Sequence, residues 1–283
     1  MIMRRLLPIT IQHRLKEQRN RIRHQLRRWQ GLSELQITTR GWERYAKNWA
    51  RETLPQVQYT GQVKYLGDEW SIEKTTGVEE HHYGLSSEEV NNFEHYIDEK
   101  LLKPYLPPVA TEALEIGPGG GRFTSLLLPR TEALHVAEPS KTMLRLLRQR
   151  FGATANLIEH HTDGTTLPSL RPGSLDYVFA FDVFVHFEPR LVYWYLRELE
   201  RLLKPQGVGI IHYSNVLTPV GWGRFERELK ENLQQKSELN AFGVMCPQLM
   251  LRFLEALKLE VISADVGLIP RDAVAVFRKP VRE

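Results

Sequence analysis

Glu115 and the glycines after it are the first residues whose types and spacing could do chemistry. They lie in ALEIGPGGGRFTSLLL, residues 113–128, where an apolar run enters Gly117, Gly119 and Gly121 and a helical pattern leaves after Arg122. That layout is a strand–turn–helix turn of the kind that receives a nucleotide-like ligand. Lacking side chains, the glycines let backbone N–H groups come close to it. A GxGxG spacing alone leaves the ligand open, and Glu115 narrows it. A dinucleotide would rest its pyrophosphate on the helix N-terminus, where a neighbouring carboxylate repels it. S-adenosylmethionine has no phosphate. Its ammonium and sulfonium favour an adjacent anion, and its carboxylate suits the helix N-terminus and Arg122. Glu138 closes the next apolar run, where a carboxylate can accept both ribose hydroxyls, as it also does in NAD proteins. Asp163-Gly164 follows the third run and could take the adenine amino group; a plain Asp-Gly turn is the alternative.

Methyl transfer from such a cofactor is an in-line displacement on a sulfonium carbon, so a protein mainly has to align the nucleophile and exclude water. An amine acceptor needs only a lone pair. A hydroxyl must lose its proton, which a placed base accelerates by roughly 10²- to 10⁴-fold. Asp182 and His186 in FDVFVHF, and His212 in GIIHYSN, fall where the later strands end and are the candidate catalytic residues. Histidine suits proton transfer near neutral pH, and Asp182 could orient a histidine or contact the acceptor. A histidine in such a place more often packs or hydrogen-bonds than catalyses, and His212 is the weaker candidate of the two. His81-His82 and His160-His161 are adjacent pairs whose side chains diverge on a strand. The second pair reads as flanking the adenine site. No metal site is expected; in a metal-assisted variant Asp182 is the first ligand to suspect.

These residues need a frame, and 283 residues are enough for one large domain with an appendage. The single cysteine, Cys246, excludes an internal disulfide and fits a reducing, cytoplasmic compartment. No apolar run reaches the roughly 20 residues of a membrane-spanning helix. Charge is uneven: residues 1–30 hold nine arginines and lysines against Glu17 alone, so the arm carries +8 of a net +4 and the rest of the chain is acidic. Ile11, Leu15, Ile22, Leu26 and Trp29 fall near one face of a helix there. Residues 1–35 are therefore expected to form a basic amphipathic helix. It would dock on its own domain or on a second subunit; a peripheral membrane contact, a nucleic-acid contact and a transit segment are the alternatives.

Residues 36–85 mix aromatics such as Trp42, Trp49, Tyr59 and Trp70 with turn residues and show no clean period, which suggests a cover or a lid over a pocket. From Ser86, a capping-box spacing to Glu89 opens a helix that Pro104 should stop. Strand-like runs at Ala113–Ile116, Ala133–Glu138, Ala155–Glu159, Leu175–Phe181 and Val208–Tyr213 then alternate with helical stretches at Arg122–Leu128, Ser140–Phe151 and Pro189–Leu203. This predicts an α/β fold, a parallel sheet covered on both faces. After the helical stretch Pro247–Leu257, two strands, Leu259–Val266 and Ala273–Arg278, are joined by too short a turn for a crossover and should be antiparallel. Residues 86–283 form one domain on this reading, with an insertion at 216–246 near the acceptor.

ALEIGPGGGR, AEPSKTML, TDGTTLP, LDYVFAFDVFVHF and LRELERLLKPQGVGIIHYS resemble, in order and spacing, the motifs of class I S-adenosylmethionine-dependent methyltransferases of the small-molecule branch. The resemblance covers roughly residues 86–280. It implies a Rossmann-like three-layer sandwich with a seven-stranded, mostly parallel sheet ending in an antiparallel hairpin, preceded here by the N-terminal helical extension. It implies S-adenosyl-L-methionine as cofactor, held by Glu115, Gly117 and Gly119 at the methionine end, Glu138 at the ribose and Asp163 and Gly164 at the adenine. Phe181 sits where the fourth strand presents its end to the cofactor. The fourth strand ends in AFDVF, departing from the Asn/Asp-Pro-Pro-Tyr of many methylators of nucleobases and protein amides. The expected acceptor is a small molecule, a hydroxyl of a sugar, glycan or secondary metabolite. The alternatives are an RNA substrate held by the basic arm, and a membrane-associated or partner-binding module that uses the fold without turnover.

Overall fold

The computed structural model describes residues 41–44, 46–47, 93–167, 170–233 and 242–281. The expected helix at 1–35, nearly all of the segment 36–85 and the capping box Ser86–Glu89 lie outside the described residues, as do His81 and His82. Within them the apolar runs become seven strands: β1 (Ala110–Ile116), β2 (Thr131–Glu138), β3 (Leu157–His161), β4 (Leu175–Phe184), β5 (Leu203–Ser214), β6 (Glu260–Ser263) and β7 (Asp272–Arg278). They form one sheet in the order β3-β2-β1-β4-β5-β7-β6. Strands β1 to β5 pair in parallel, and β7 runs antiparallel to both β5 and β6. The parallel sheet finished by an antiparallel hairpin is therefore observed, and the later strand of the hairpin lies on the inside.

Helices cover both faces because the central strands bury residues of either parity. On one face Leu114, Val178, Ile211 and Phe277 pack with helix α4 (Pro189–Leu202) and α6 (Pro247–Ala256). On the other, Ala113, Leu134, Phe179 and Val276 pack with α1 (Phe93–Ile97) and α3 (Lys141–Phe151). Helix α4 starts on Pro189, where a missing N–H is least missed, and buries Val192, Tyr195, Leu196, Leu199 and Leu202 along one stripe. Helix α3 is capped by Ser140, whose hydroxyl accepts from Met143 N–H at 3.2 Å. The glycine turn is followed by the short α2 (Thr124–Leu127), and the insertion contributes α5 (Pro219–Leu233).

The helix ends at Tyr105, one residue past the expected stop at Pro104. Helix α1 runs on through a π-helical turn, Asp98–Leu102, and a last turn, Lys103–Tyr105, that contains the proline. Edge strands also differ from expectation. β3 is shifted toward His161 and β6 is shorter than the run Leu259–Val266. Among the described residues no helix is long and apolar enough to cross a membrane.

Gly209 on β5 is opposite Phe277 on β7, whose ring lies across it. A Cβ added there would meet ring carbons at 2.2, 2.4 and 2.8 Å, in a core with no slack. Gly209→Ala is expected to lower stability by about 1–3 kcal/mol, read as a shift in the urea midpoint at unchanged slope.

Candidate active site

The strand order reverses between β1 and β4, and open sheets of this kind take their ligand beyond the carboxyl ends of the strands at that point. Glu115 lies one residue before the end of β1 and Glu138 at the end of the neighbouring β2, both buried. Burial pushes the Glu115 carboxyl up to about 7, with the charge of Glu138 adding to it and a hydrogen bond from Thr124 Oγ1 to Oε2 (2.6 Å) opposing. Burial likewise takes Glu138 to about 7, against backbone N–H bonds from Ser140 (2.8 Å to Oε1) and Gly119. Two desolvated acids thus stand side by side and resist full ionisation together.

The glycine turn crosses the mouth of this pair. Gly117 has a φ of +66°, and a Cβ there would stand 2.4 Å from Val183 Cγ2. Gly121, at φ +85°, presses its backbone against the ring of Phe151 on α3, where a Cβ would come within 2.4 Å. Gly119, also at positive φ, has nothing within 4 Å of that position. The turn is therefore tight on both flanks and open at its tip. Arg150 Nη1 donates to Gly120 O at 3.0 Å and braces the turn from α3. Arg122, nearly buried, lies over the rings of Phe93 and Phe123, with Asp182 Oδ2 3.8 Å from Nη1 and Glu94 Oε1 4.0 Å from Nε. An open glycine tip beside two buried carboxylates fits a ligand with ribose hydroxyls and a cationic end.

Asp163 accepts at Oδ1 from Thr165 N–H (2.8 Å) and Thr166 N–H (3.1 Å), closing its own turn. Burial would raise this carboxyl, but those bonds hold it below its ordinary range. Gly164 O accepts from Tyr195 Oη–H at 2.7 Å and Thr165 O from Trp194 Nε1–H at 2.9 Å, so the loop hangs from α4. His160 turns onto His135 of β2, ring nitrogens 2.8 Å apart, while His161 is exposed.

The β4 end differs most from expectation. The strand runs on past Phe181 to Phe184, and the Phe181 ring is buried against Phe93, Phe123 and His212. Asp182 takes a φ of +59°, a left-handed conformation uncommon for a residue with a side chain. His212 is fully buried, with Nδ1 3.1 Å from Asp182 N and Nε2 3.1 Å from Asp272 Oδ2. His186 sits half-buried in the turn after β4, its ring 5.0 Å from that of Trp42 in an edge-on contact. Residues 41–44 and 46–47 are helical, and Glu43 next to Trp42 accepts from Ser140 Oγ–H (2.6 Å), Thr142 Oγ1–H (2.8 Å) and Thr142 N–H (3.2 Å). The described part of the aromatic segment thus bridges the ends of β2 and β4. Among the described residues no three His, Cys, Asp or Glu side chains are grouped to hold a metal, and Asp182 faces Arg122 and His212.

Residues 114–211 match the protein family described as a methyltransferase domain. That match and the sheet topology support a methyltransferase domain of the S-adenosylmethionine-dependent kind in this part of the chain. No curated protein matches the sequence. Among solved structures, the methyltransferase fold resembles an S-adenosylmethionine-dependent methyltransferase from Methanosarcina mazei at 14% identity, over 64% of this chain and 98% of that one, with a TM-score of 0.51. A similar enzyme from Mesorhizobium loti aligns at 16% identity, over 64% of this chain and 97% of that one, with a TM-score of 0.51. The N-methyltransferase NodS from Bradyrhizobium japonicum, in complex with S-adenosyl-L-homocysteine, aligns at 15% identity over 75% of this chain and 97% of that one, with a TM-score of 0.50. At these identities the likeness concerns the fold. The methyltransferase-domain match and the S-adenosyl-L-homocysteine held by that similar fold support S-adenosyl-L-methionine as cofactor.

Thr124, Arg150, Asp272 and Arg271 were absent from the sequence expectations. Only the charged pair Arg271-Asp272 at the start of a strand left a local signal. A cationic ligand favours the ionised forms of Glu115 and Glu138, so binding releases protons wherever these acids are protonated in the free chain. Cofactor affinity should therefore rise with pH through about 7 and then level off, by roughly 10-fold per carboxylate between pH 6 and 8. Because both folded values lie above the ordinary carboxylate range, the free chain loses stability as pH rises through 7, and the cofactor's stabilisation grows over the same window. Calorimetry in buffers of different ionisation enthalpy reads both the affinity and the proton release. Affinity independent of pH would contradict the assignment.

Proposed function

We propose that the methyl acceptor is a hydroxyl of a small molecule, of the sugar, glycan or secondary-metabolite kind, and that His186 takes its proton. The observation that carries this reading is the place of His186. It stands in the turn beyond β4, half-buried, under the ring of Trp42, at the strand-end edge that holds Glu115 and Glu138. A backbone bond from His186 N–H to Val183 O (3.1 Å) fixes the turn that presents it. His212, the other candidate base, has no exposed surface and both ring nitrogens engaged.

Bound S-adenosylmethionine supplies a methyl carbon already activated by its sulfonium. An acceptor hydroxyl attacking that carbon would have to give up its proton, and on this reading a ring nitrogen of His186 would take it. On this reading Trp42 and the helical residues 41–44 and 46–47 exclude water from this edge, and Glu43 ties them down on Ser140 and Thr142. Burial would raise the Glu43 carboxyl, but the bonds from Ser140 and Thr142 outweigh it and hold it ionised. Residues 36–85 act on this reading as the cover, and the insertion at 216–246 completes the acceptor's surroundings.

His186→Ala is expected to slow transfer from labelled S-adenosylmethionine to a hydroxyl acceptor by about 10²- to 10⁴-fold, with cofactor affinity within threefold of the unmodified chain. The acceptor is sought in a panel of hydroxylated small molecules, amines and total RNA. Transfer to an amine or to RNA that survives His186→Ala would overturn the hydroxyl reading.

A further inference from the structure

We infer that His212 is a positioning residue: with Asp272 and Arg271 it holds Asp182 in its left-handed conformation and, through Asp182, sets Arg122 beside the cofactor turn. The network crosses four elements. Arg271 Nε donates to Asp272 Oδ2 at 2.9 Å, and the same oxygen faces His212 Nε2 at 3.1 Å. On the far side of the ring, Asp182 N–H donates to Nδ1 at 3.1 Å. That bond requires an unprotonated Nδ1, so the ring proton is on Nε2 and is donated to Asp272. The stacked ring of Phe181, 4.0 Å away and 16° from parallel, fixes the plane of the imidazole.

Asp272 keeps this tautomer in place. Burial would push its carboxyl up, but Arg271 and the His212 bond bring it down to about 2, so it remains an acceptor throughout the physiological range. The ring cannot turn over without leaving a buried carboxylate facing a lone pair.

Asp182 gains most from this. Its φ of +59° is one a side chain disfavours, and a residue persists there when its surroundings over-determine it. In this conformation the Asp182 N–H reaches the acceptor that His212 supplies. The same conformation places Asp182 Oδ2 3.8 Å from Arg122 Nη1, on the residue that follows Gly121 in the cofactor turn. An order imposed from β7 thus arrives at the methionine end of the ligand without any of β7 touching it. His212 is built to hold an atom still, a different task from taking a proton.

The test uses the full chain and S-adenosyl-L-homocysteine as probe, since the inference rests on the cofactor reading of this site. His212→Asn places an amide oxygen near the Nδ1 position and should bind the probe within threefold of the unmodified chain. His212→Phe keeps the stacking and lacks the acceptor, and should bind about tenfold more weakly. In an Asp182→Gly background, where glycine takes positive φ without a steric penalty, His212→Phe should cost less than threefold. Should His212→Phe fail to fold, His212→Gln replaces it: its amide reaches the Nε2 position, and it should show the tenfold loss that Asn avoids. Equal affinity of the Asn variant and of Phe or Gln, or the full loss persisting in the Asp182→Gly background, would overturn the inference. An unmodified chain that does not bind the probe would sink the cofactor reading and this inference with it. Binding by that chain with no effect of the variants would sink the inference alone.

Discussion

Two carboxylates buried at neighbouring strand ends, with too little water around them to ionise both freely, are the constraint around which the site is arranged. Burial penalises each charge, and proximity penalises the second more than the first. Thr124, Ser140 and the N–H of Gly119 offset part of this with hydrogen bonds. A ligand with a cationic end and ribose hydroxyls offsets more. The glycine turn serves the same constraint from the other side: it is pinned by Val183, Phe151 and Arg150 and left open at Gly119.

The central fold was legible because parallel strands buried on both faces read as continuous apolar runs. Thus β1, β2 and β4 begin or end within a few residues of the runs that announced them. The edges were less so. β3 carries an exposed Ile158 and two histidines, and β6 breaks at Ser263 before the Asp265–Gly267 turn, so neither shows a full apolar run. Pro104 marked the end of its helix to within one residue, while the π turn ahead of it left no sequence signal.

The site divides along the same line. Glu115, Glu138 and the glycines were visible because their spacing to one another is local. Asp272 was not, because the antiparallel return of β7 brings it to His212 across sixty positions of chain. Glu43 reaches Ser140 across ninety-seven. Long-range pairings of single polar residues leave no period to read. Even so, the residue types were informative: Asp182, His186 and His212 do gather at one edge, although the structure gives them different surroundings.

Helix α3 borrows part of its start from a distant stretch of chain. Ser140 caps it locally, yet Glu43 supplies the acceptor for Thr142 N–H and for both hydroxyls of that first turn. Glu43 therefore helps to set the start of the very helix that braces the glycine turn through Arg150. Anchorage of that early segment and firmness of the glycine turn are thereby coupled through a single carboxylate.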